Sequence, residues 1–272
     1  MPSSSVAPMF TNMGAPCVLG LLGSRRPSTT VFTAGSTSRL IESRQNEKLR
    51  LVRKLLSARK HREETGLFAV ESEDLVEAAL AASIDPVELL VAGEDVLPEL
   101  LAEVSTLGHA PRTIGVFRRD DLPAGARDVT LALWRVTDPG NVGTLLRTAD
   151  AFGAAVSLSS ECADPLGPRA VRASAGAIFR VPLVEWDSVA GRRVALVAHG
   201  GAPLAEVDLE VPLTFLLGSE REGLPDELAT DCYKATIPLT GAAESLNVAA
   251  AGAIALYELS RRAEARDSAA FR

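Results

Sequence analysis

The sequence predicts an α/β protein whose carboxy-terminal half is built on a parallel sheet. Short apolar runs such as "VTLALWRV" (129–136) have the unbroken character of strands buried on both faces. Longer stretches with helical periodicity lie between them, so strand and helix alternate along the chain. Several of the runs end in polar or Gly-containing loops, the edge at which parallel sheets hold ligands.

The 272 residues are 47% hydrophobic and 23% charged, which suits one or two domains with a substantial core. No apolar run approaches the roughly 18 residues of a membrane span, so no membrane partner is expected. Cys17, Cys162 and Cys232 match neither disulfide nor metal-ligand spacing. They read as reduced thiols of a cytoplasmic protein, and no metal is expected. The net charge of −7 hides a polarity, because nine Lys or Arg between Arg39 and Arg62 oppose only Glu42 and Glu47. Such a segment meets a polyanion locally, or is the solvated face of a charged helix.

Residues 1–38 are rich in Ser, Thr, Gly and Pro and lack acidic residues. Their composition fits a transit peptide, a disordered arm or a start placed too far upstream, and carries no functional reading. A helix is expected from about residue 43, with Leu49, Val52, Leu55 and Leu56 on one side. A strand at 65–72, a helix at 74–83, a strand at 87–93, a helix at 98–109 and a strand at 113–117 complete a small α/β domain (39–120). A linker rich in Pro, Gly and charge follows at 121–128. The second domain (129–266) continues with a helix from Asn141 to Phe152, a strand at 154–160 and a helix over 167–179. Strands at 193–201, 213–220 and 234–241 precede a closing helix at 245–266 and a short tail, 267–272.

Three stretches carry candidate chemistry. In "TDPGNVGTLLRTADAFG" (137–153), Asn141 reads as the N-cap of a helix, and Gly140 and Gly143 permit close backbone approach. Arg147 then stands near a terminus that favours anions. In "FLLGSEREGLPDEL" (215–228), a buried strand exits into Gly218 and the charged Glu220. In "IPLTGAAESLNVAAAGAIALYE" (237–258), Ser245 and Asn247 open a helix whose first turns are almost all small, which implies very tight packing. Taken singly, each also reads as an ordinary capped helix or strand connection. A serine hydrolase is disfavoured, since no serine occupies a G-x-S-x-G elbow and only His61, His109 and His199 exist.

Together and in this order, the three stretches resemble the motifs of the SpoU (TrmH) class of SPOUT methyltransferases. "RASAGAIFRVP" (172–182) is also similar to that family, and the resemblance covers about 129–262. The preceding 41–72 resembles the small RNA-binding domain, similar to a ribosomal protein, that many members carry. There the usual pattern has Gly after Glu71, where this chain has Ser72.

The resemblance implies a carboxy-terminal deep trefoil knot and transfer of methyl from S-adenosylmethionine to a ribose 2′-hydroxyl of structured RNA. Ribosomal RNA is favoured over transfer RNA by the domain in front. It further implies that Arg147, Asn141, Glu220, Ser245 and Asn247 serve catalysis. His199, Gly200, Leu217, Gly218, Ile237, Leu239 and Leu246 would hold the cofactor. Arg44, Lys48, Arg53, Arg59, Lys60, Arg62, Arg169 and Arg172 are the expected RNA contacts, and a homodimer through the knot region is implied. The alternative is a non-catalytic RNA-binding protein that retains the fold, against which the intact site residues speak.

Overall fold

The computed structural model describes residues 40–189 and 191–270. The expected arm at 1–38 and Cys17 lie outside the described residues. Asn46 caps the first helix, α1 (Glu47–Ser57), by accepting from the Lys48 amide, and Leu49, Val52, Leu55 and Leu56 form its buried face. α2 (Arg59–Thr65) ends at a left-handed Gly66 and feeds β1 (Leu67–Glu71). α3 (Glu73–Ala81), β2 (Glu88–Val91), α4 (Pro98–Val104) and β3 (Thr113–Arg118) follow. The three strands pair antiparallel in the order β1-β3-β2. Between β1 and α3, Ser72 adopts φ 122° and ψ 148°, a conformation suited to the Gly that the sequence comparison expected there.

Strand alternation divides this small sheet between two cores. Ala69, Ile114 and Val116 face α1 and α4, whereas Phe68, Val70 and Phe117 join the main core. There the Phe68 and Phe117 rings lie 6.1 and 5.4 Å from Phe179. Full burial of each ring contributes about 1.5–3 kcal/mol. The segment 121–128 therefore joins two parts of one packed body rather than two separate beads.

The second part begins with β4 (Val129–Leu133), α5 (Pro139–Ala151), β5 (Ala155–Leu158) and α6 (Pro168–Ser174). The single helix expected over 167–179 is broken, because Ala175 (φ 49°) and Gly176 (φ 84°) both turn left-handed. A side chain at Gly176 would stand 2.7 Å from the Ala78 Cβ, so the break is close-packed. A 3-10 turn at Ala177–Phe179 then buries Phe179. Next come β6 (Leu183–Val184), β7 (Arg192–Leu196), β8 (Ala202–Pro203), β9 (Leu213–Leu217), α7 (Asp226–Ala229) and β10 (Tyr233–Thr236). The last element, α8 (Val248–Ala270), runs through most of the expected tail.

These strands form a seven-stranded parallel sheet in the order β6-β5-β4-β9-β7-β10-β8. From β4 the chain first builds outward to β5 and β6, then returns to the other side, inserting β9 beside β4. α8 crosses α5 and β9 closely, since a side chain at Gly252 would come within 2.5 Å of Leu145 and 3.1 Å of Leu217. Its far end is clasped by Arg262, which donates to the carbonyls of Leu204 and Val207, both at 2.6 Å. Glu258 holds Arg262 and Arg261 in turn, and their hydrogen bonds bring its carboxyl down to about 2. Among the described residues, no helix is long and apolar enough to cross a membrane.

Candidate active site

The strand order reverses at β4 and β9, and crevices at such points are where open α/β sheets bind ligands. Both strands end there in a functional loop. After β4, Asp138 caps α5 by accepting from the Asn141 amide at 3.0 Å, with Pro139 as the first helical residue. This corrects the assignment of Asn141 as the cap. Asn141 lies inside the first turn, which frees its side chain to point across the crevice.

After β9, residues 219–223 form a tight turn closed by reciprocal backbone bonds between Ser219 and Gly223, at 3.1 and 3.0 Å. Gly223 is left-handed (φ 68°), and a side chain at Gly218 would strike the Gly223 backbone at 2.1 Å. The turn projects Glu220, whose carboxylate accepts from the Asn141 amide nitrogen at 2.9 Å. On the other side, Asn247 donates to the Asn141 side-chain oxygen at 3.0 Å. Asn247 also caps α8, accepting from the amides of Ala249 (2.8 Å) and Ala250 (3.3 Å). Residues from three distant stretches thus form one hydrogen-bonded chain, Glu220–Asn141–Asn247.

Beside this chain lies a cavity of about 660 Å³, within the range of small-molecule sites. Leu217, Gly218, Ile237, Leu239 and Leu246 contribute its mainly apolar wall, together with Leu196 and Val248. His199, Glu220, Ser245 and Asn247 border it as well. Glu222 is paired with Arg135 at 3.3 Å, and Glu220 and Glu244 stand against the single Arg221 of the lining, so the rim favours a ligand carrying positive charge. Gly200 does not line the cavity. It is an exposed turn residue (φ 76°) carrying the chain on towards β8.

Arg147 is exposed on α5 and has no ion-pair partner among the described residues. It stands on the solvent stripe with Thr144, about 9 Å further along the axis than Asn141. The close backbone approach expected at Gly143 is made by α6, since a side chain there would meet the Ala170 carbonyl at 2.4 Å and the Ser174 nitrogen at 2.9 Å.

The basic segment is less free than its composition implied. Arg44 and Arg53 reach Glu103, Lys48 reaches Glu88, Arg59 reaches Glu63 and Lys60 reaches Glu64. Arg62 is buried, paired to Asp164 at 2.7 Å and donating to the Leu55 carbonyl, so it serves packing and is not presented to a polyanion. Arg172 donates to the buried Glu71 at 3.0 Å, joining α6 to β1. Arg169 is exposed and unpaired among the described residues, as are Arg50 and Lys54 on α1. Sequence reasoning missed the cap at Asp138, although the Asp-Pro pair signals it. It also passed over Arg135 and Glu222, which no spacing rule marks.

A parallel sheet that reverses beside a cavity of this lining is the arrangement of α/β proteins that bind small molecules at the switch point. The SpoU rRNA methylase family model matches residues 128–257. The Bacillus subtilis 23S rRNA (guanosine(2553)-2′-O)-methyltransferase RlmP is 33% identical over 246 residues, covering 80% of this chain and 98% of that protein. An AdoMet-bound rRNA methyltransferase from Sinorhizobium meliloti superposes with TM-score 0.73 and 31% identity, covering 83% of this chain and 98% of that one. The SpoU methyltransferase AviRb of Streptomyces viridochromogenes, in complex with AdoMet, gives 0.72 and 28%, with 80% and 98% covered. The chain belongs to the SpoU methylase family.

Proposed function

We propose that the chain is an S-adenosylmethionine-dependent methyltransferase acting on a ribose 2′-hydroxyl of ribosomal RNA. The observation that carries this is the Glu220–Asn141–Asn247 chain, which ties the three family motifs together at the cavity mouth. The RlmP relative is named for that reaction on 23S rRNA, and the AviRb and S. meliloti structures are described with AdoMet.

The cavity suits the cofactor chemically. Apolar residues Leu217, Ile237, Leu239 and Leu246 offer walls for a nucleoside, and Glu220 and Glu244 favour a sulfonium and an ammonium group. When bound, S-adenosylmethionine supplies an electrophilic methyl that passes to the ribose oxygen, while sulfur keeps the bonding electron pair. The chain's own task is to align the acceptor oxygen and ease loss of its proton to solvent, and alignment alone supplies several orders of magnitude in rate. Arg147 stays protonated, because a guanidinium ionises above about pH 12. It therefore acts by binding RNA phosphate and stabilising developing alkoxide charge rather than as a base. Asn141 and Glu220 orient the acceptor, and Ser245 and Asn247 hold the helix mouth beside it.

Several finer features belong to the same reading. The close crossing of α8 on α5 at Gly252, beside the loops at 218–223 and 237–247, supports a knotted carboxy terminus. The exposed Ile254 and Tyr257 of α8, with Leu239 and Leu246 nearby in sequence, support a homodimer through that region. Arg50, Lys54 and Arg169 are further phosphate contacts beside Arg147, and the part before 121 serves as the RNA-binding section, of the ribosomal-protein-like kind. Such contacts give an affinity that falls with salt. A cytoplasmic location belongs to the same reading.

Calorimetric titration with S-adenosylmethionine tests the cavity, since a pure RNA binder gives no heat. Mapping 2′-O-methyl groups in ribosomal RNA from cells with and without the gene tests the substrate. Arg147→Ala is expected to lower the methylation rate about 100-fold or more while leaving cofactor affinity within about twofold. Full turnover in that variant removes Arg147 from the mechanism.

A further inference from the structure

Arg135 stands two residues beyond the end of β4 with φ 52°, in the left-handed region that favours glycine. Its amide donates to the Ser159 hydroxyl at 2.9 Å, which fixes the backbone against the loop after β5. Its guanidinium then spans two other loops. The Nε atom meets Glu161 at 2.6 Å, in the loop after β5, and an Nη atom meets Glu222 at 3.3 Å, in the tight turn after β9. Both carboxylates are largely exposed, so these pairs add little to folding stability. A glycine would relax the backbone, yet an arginine is present. The arrangement makes sense as a device acting on what it holds.

What it holds is the turn that walls the cavity. Glu222 lies two residues from Glu220, and the Glu222 amide donates to the Ser219 hydroxyl at 3.1 Å, which ties Glu222 to the start of the same turn. Glu220 is fixed on its inner side by Asn141. Among the described residues the Glu222 carboxylate has no other ion pair.

We infer that Arg135 is a positioning residue: through Glu222 it holds the 219–223 turn in the shape that binds the cofactor. This rests on the reading of the cavity as an S-adenosylmethionine site. The ion pair and the strained backbone act in opposition, so binding and stability respond to its removal with different signs.

The test is calorimetric titration of the full chain with S-adenosylmethionine, without RNA, alongside thermal melting. Arg135→Gly is expected to weaken binding about 5- to 10-fold, with a melting midpoint equal to or above that of the unaltered protein. Glu222→Gln, at an exposed position, should weaken it comparably, and the double variant no further than the weaker single. Arg135→Lys, which keeps the charge but not the two-armed fork, should recover only part of the loss. Unchanged affinity in both single variants overturns the inference, as does strict additivity in the double. A loss of RNA affinity with unaltered cofactor affinity also overturns it, assigning Arg135 to direct phosphate contact. If the unaltered chain gives no heat, the reading of the cavity itself fails instead.

Discussion

Asn247 donates its side-chain amide to the side-chain oxygen of Asn141, across 106 positions of sequence. The direction of this bond is forced. The Asn247 oxygen is occupied by the α8 amides, so only its nitrogen faces Asn141. Asn141 must then accept on its oxygen and donate from its nitrogen, which meets the Glu220 carboxylate. The cap of one helix thereby sets the polarity of a side chain on another.

Asn247→Asp separates capping from donation. A carboxylate caps a helix as well as an amide does, so the melting temperature should stay within a few degrees. It cannot donate to Asn141, and methyl transfer should fall about 10- to 100-fold in kcat/KM. Asn247→Ala should add a stability loss of about 1 kcal/mol. Full activity in Asn247→Asp would show that the polarity of the chain is irrelevant.

Gly143→Ala reverses an ordinary expectation. Within a helix, Gly to Ala usually stabilises by about 1 kcal/mol. Here the added methyl would meet two backbone atoms of α6 that have nowhere to move. Denaturant titration should therefore show a loss of about 1–3 kcal/mol. A gain would mean that α5 and α6 slide apart at little cost.

Ser72→Gly should stabilise the protein. The φ and ψ values at Ser72 belong to a region open almost only to glycine, and its hydroxyl makes no capping bond to α3. After allowance for the extra freedom of an unfolded glycine, a net gain of about 1 kcal/mol is expected from urea denaturation. No change, or a loss, would show that the neighbouring elements relax around the serine without strain.

Arg62 and Lys60 are two residues apart and should behave in contrary ways. Arg62→Ala removes a buried guanidinium, leaves the partly buried Asp164 with the Leu166 amide, and should cost about 1.5–3 kcal/mol of folding stability. Lys60→Ala, at the surface, should stay within about 0.5 kcal/mol. Equal effects in chemical denaturation would contradict the burial of Arg62.

Residue periodicity foretold the α/β class, and Leu49, Val52, Leu55 and Leu56 lie on the buried face of α1 as expected. Of the three candidate stretches, 215–228 and 237–258 border the cavity, and 137–153 supplies Asn141 to the hydrogen-bonded chain beside it, because a parallel sheet collects its ligand loops at one edge. Three things were not legible. The break at Ala175 depends on a left-handed alanine, which composition does not announce. The pairing of basic residues with Glu63, Glu88 and Glu103 depends on which helix faces outward, and a charge count cannot see it. Gly143 showed only that a close approach was needed; tertiary packing decided that the visitor was α6.

The phenylalanine cluster of Phe68, Phe117 and Phe179 has a consequence for how large partners are met. Rings shared between the amino-terminal section and the methylase core oppose any swing of one against the other, since parting them would expose three phenyl faces. The span from the exposed cations of α1 to the crevice at Asn141 is therefore set by that packing, like the jaws of a caliper. A strand that touches both must bring matching dimensions of its own.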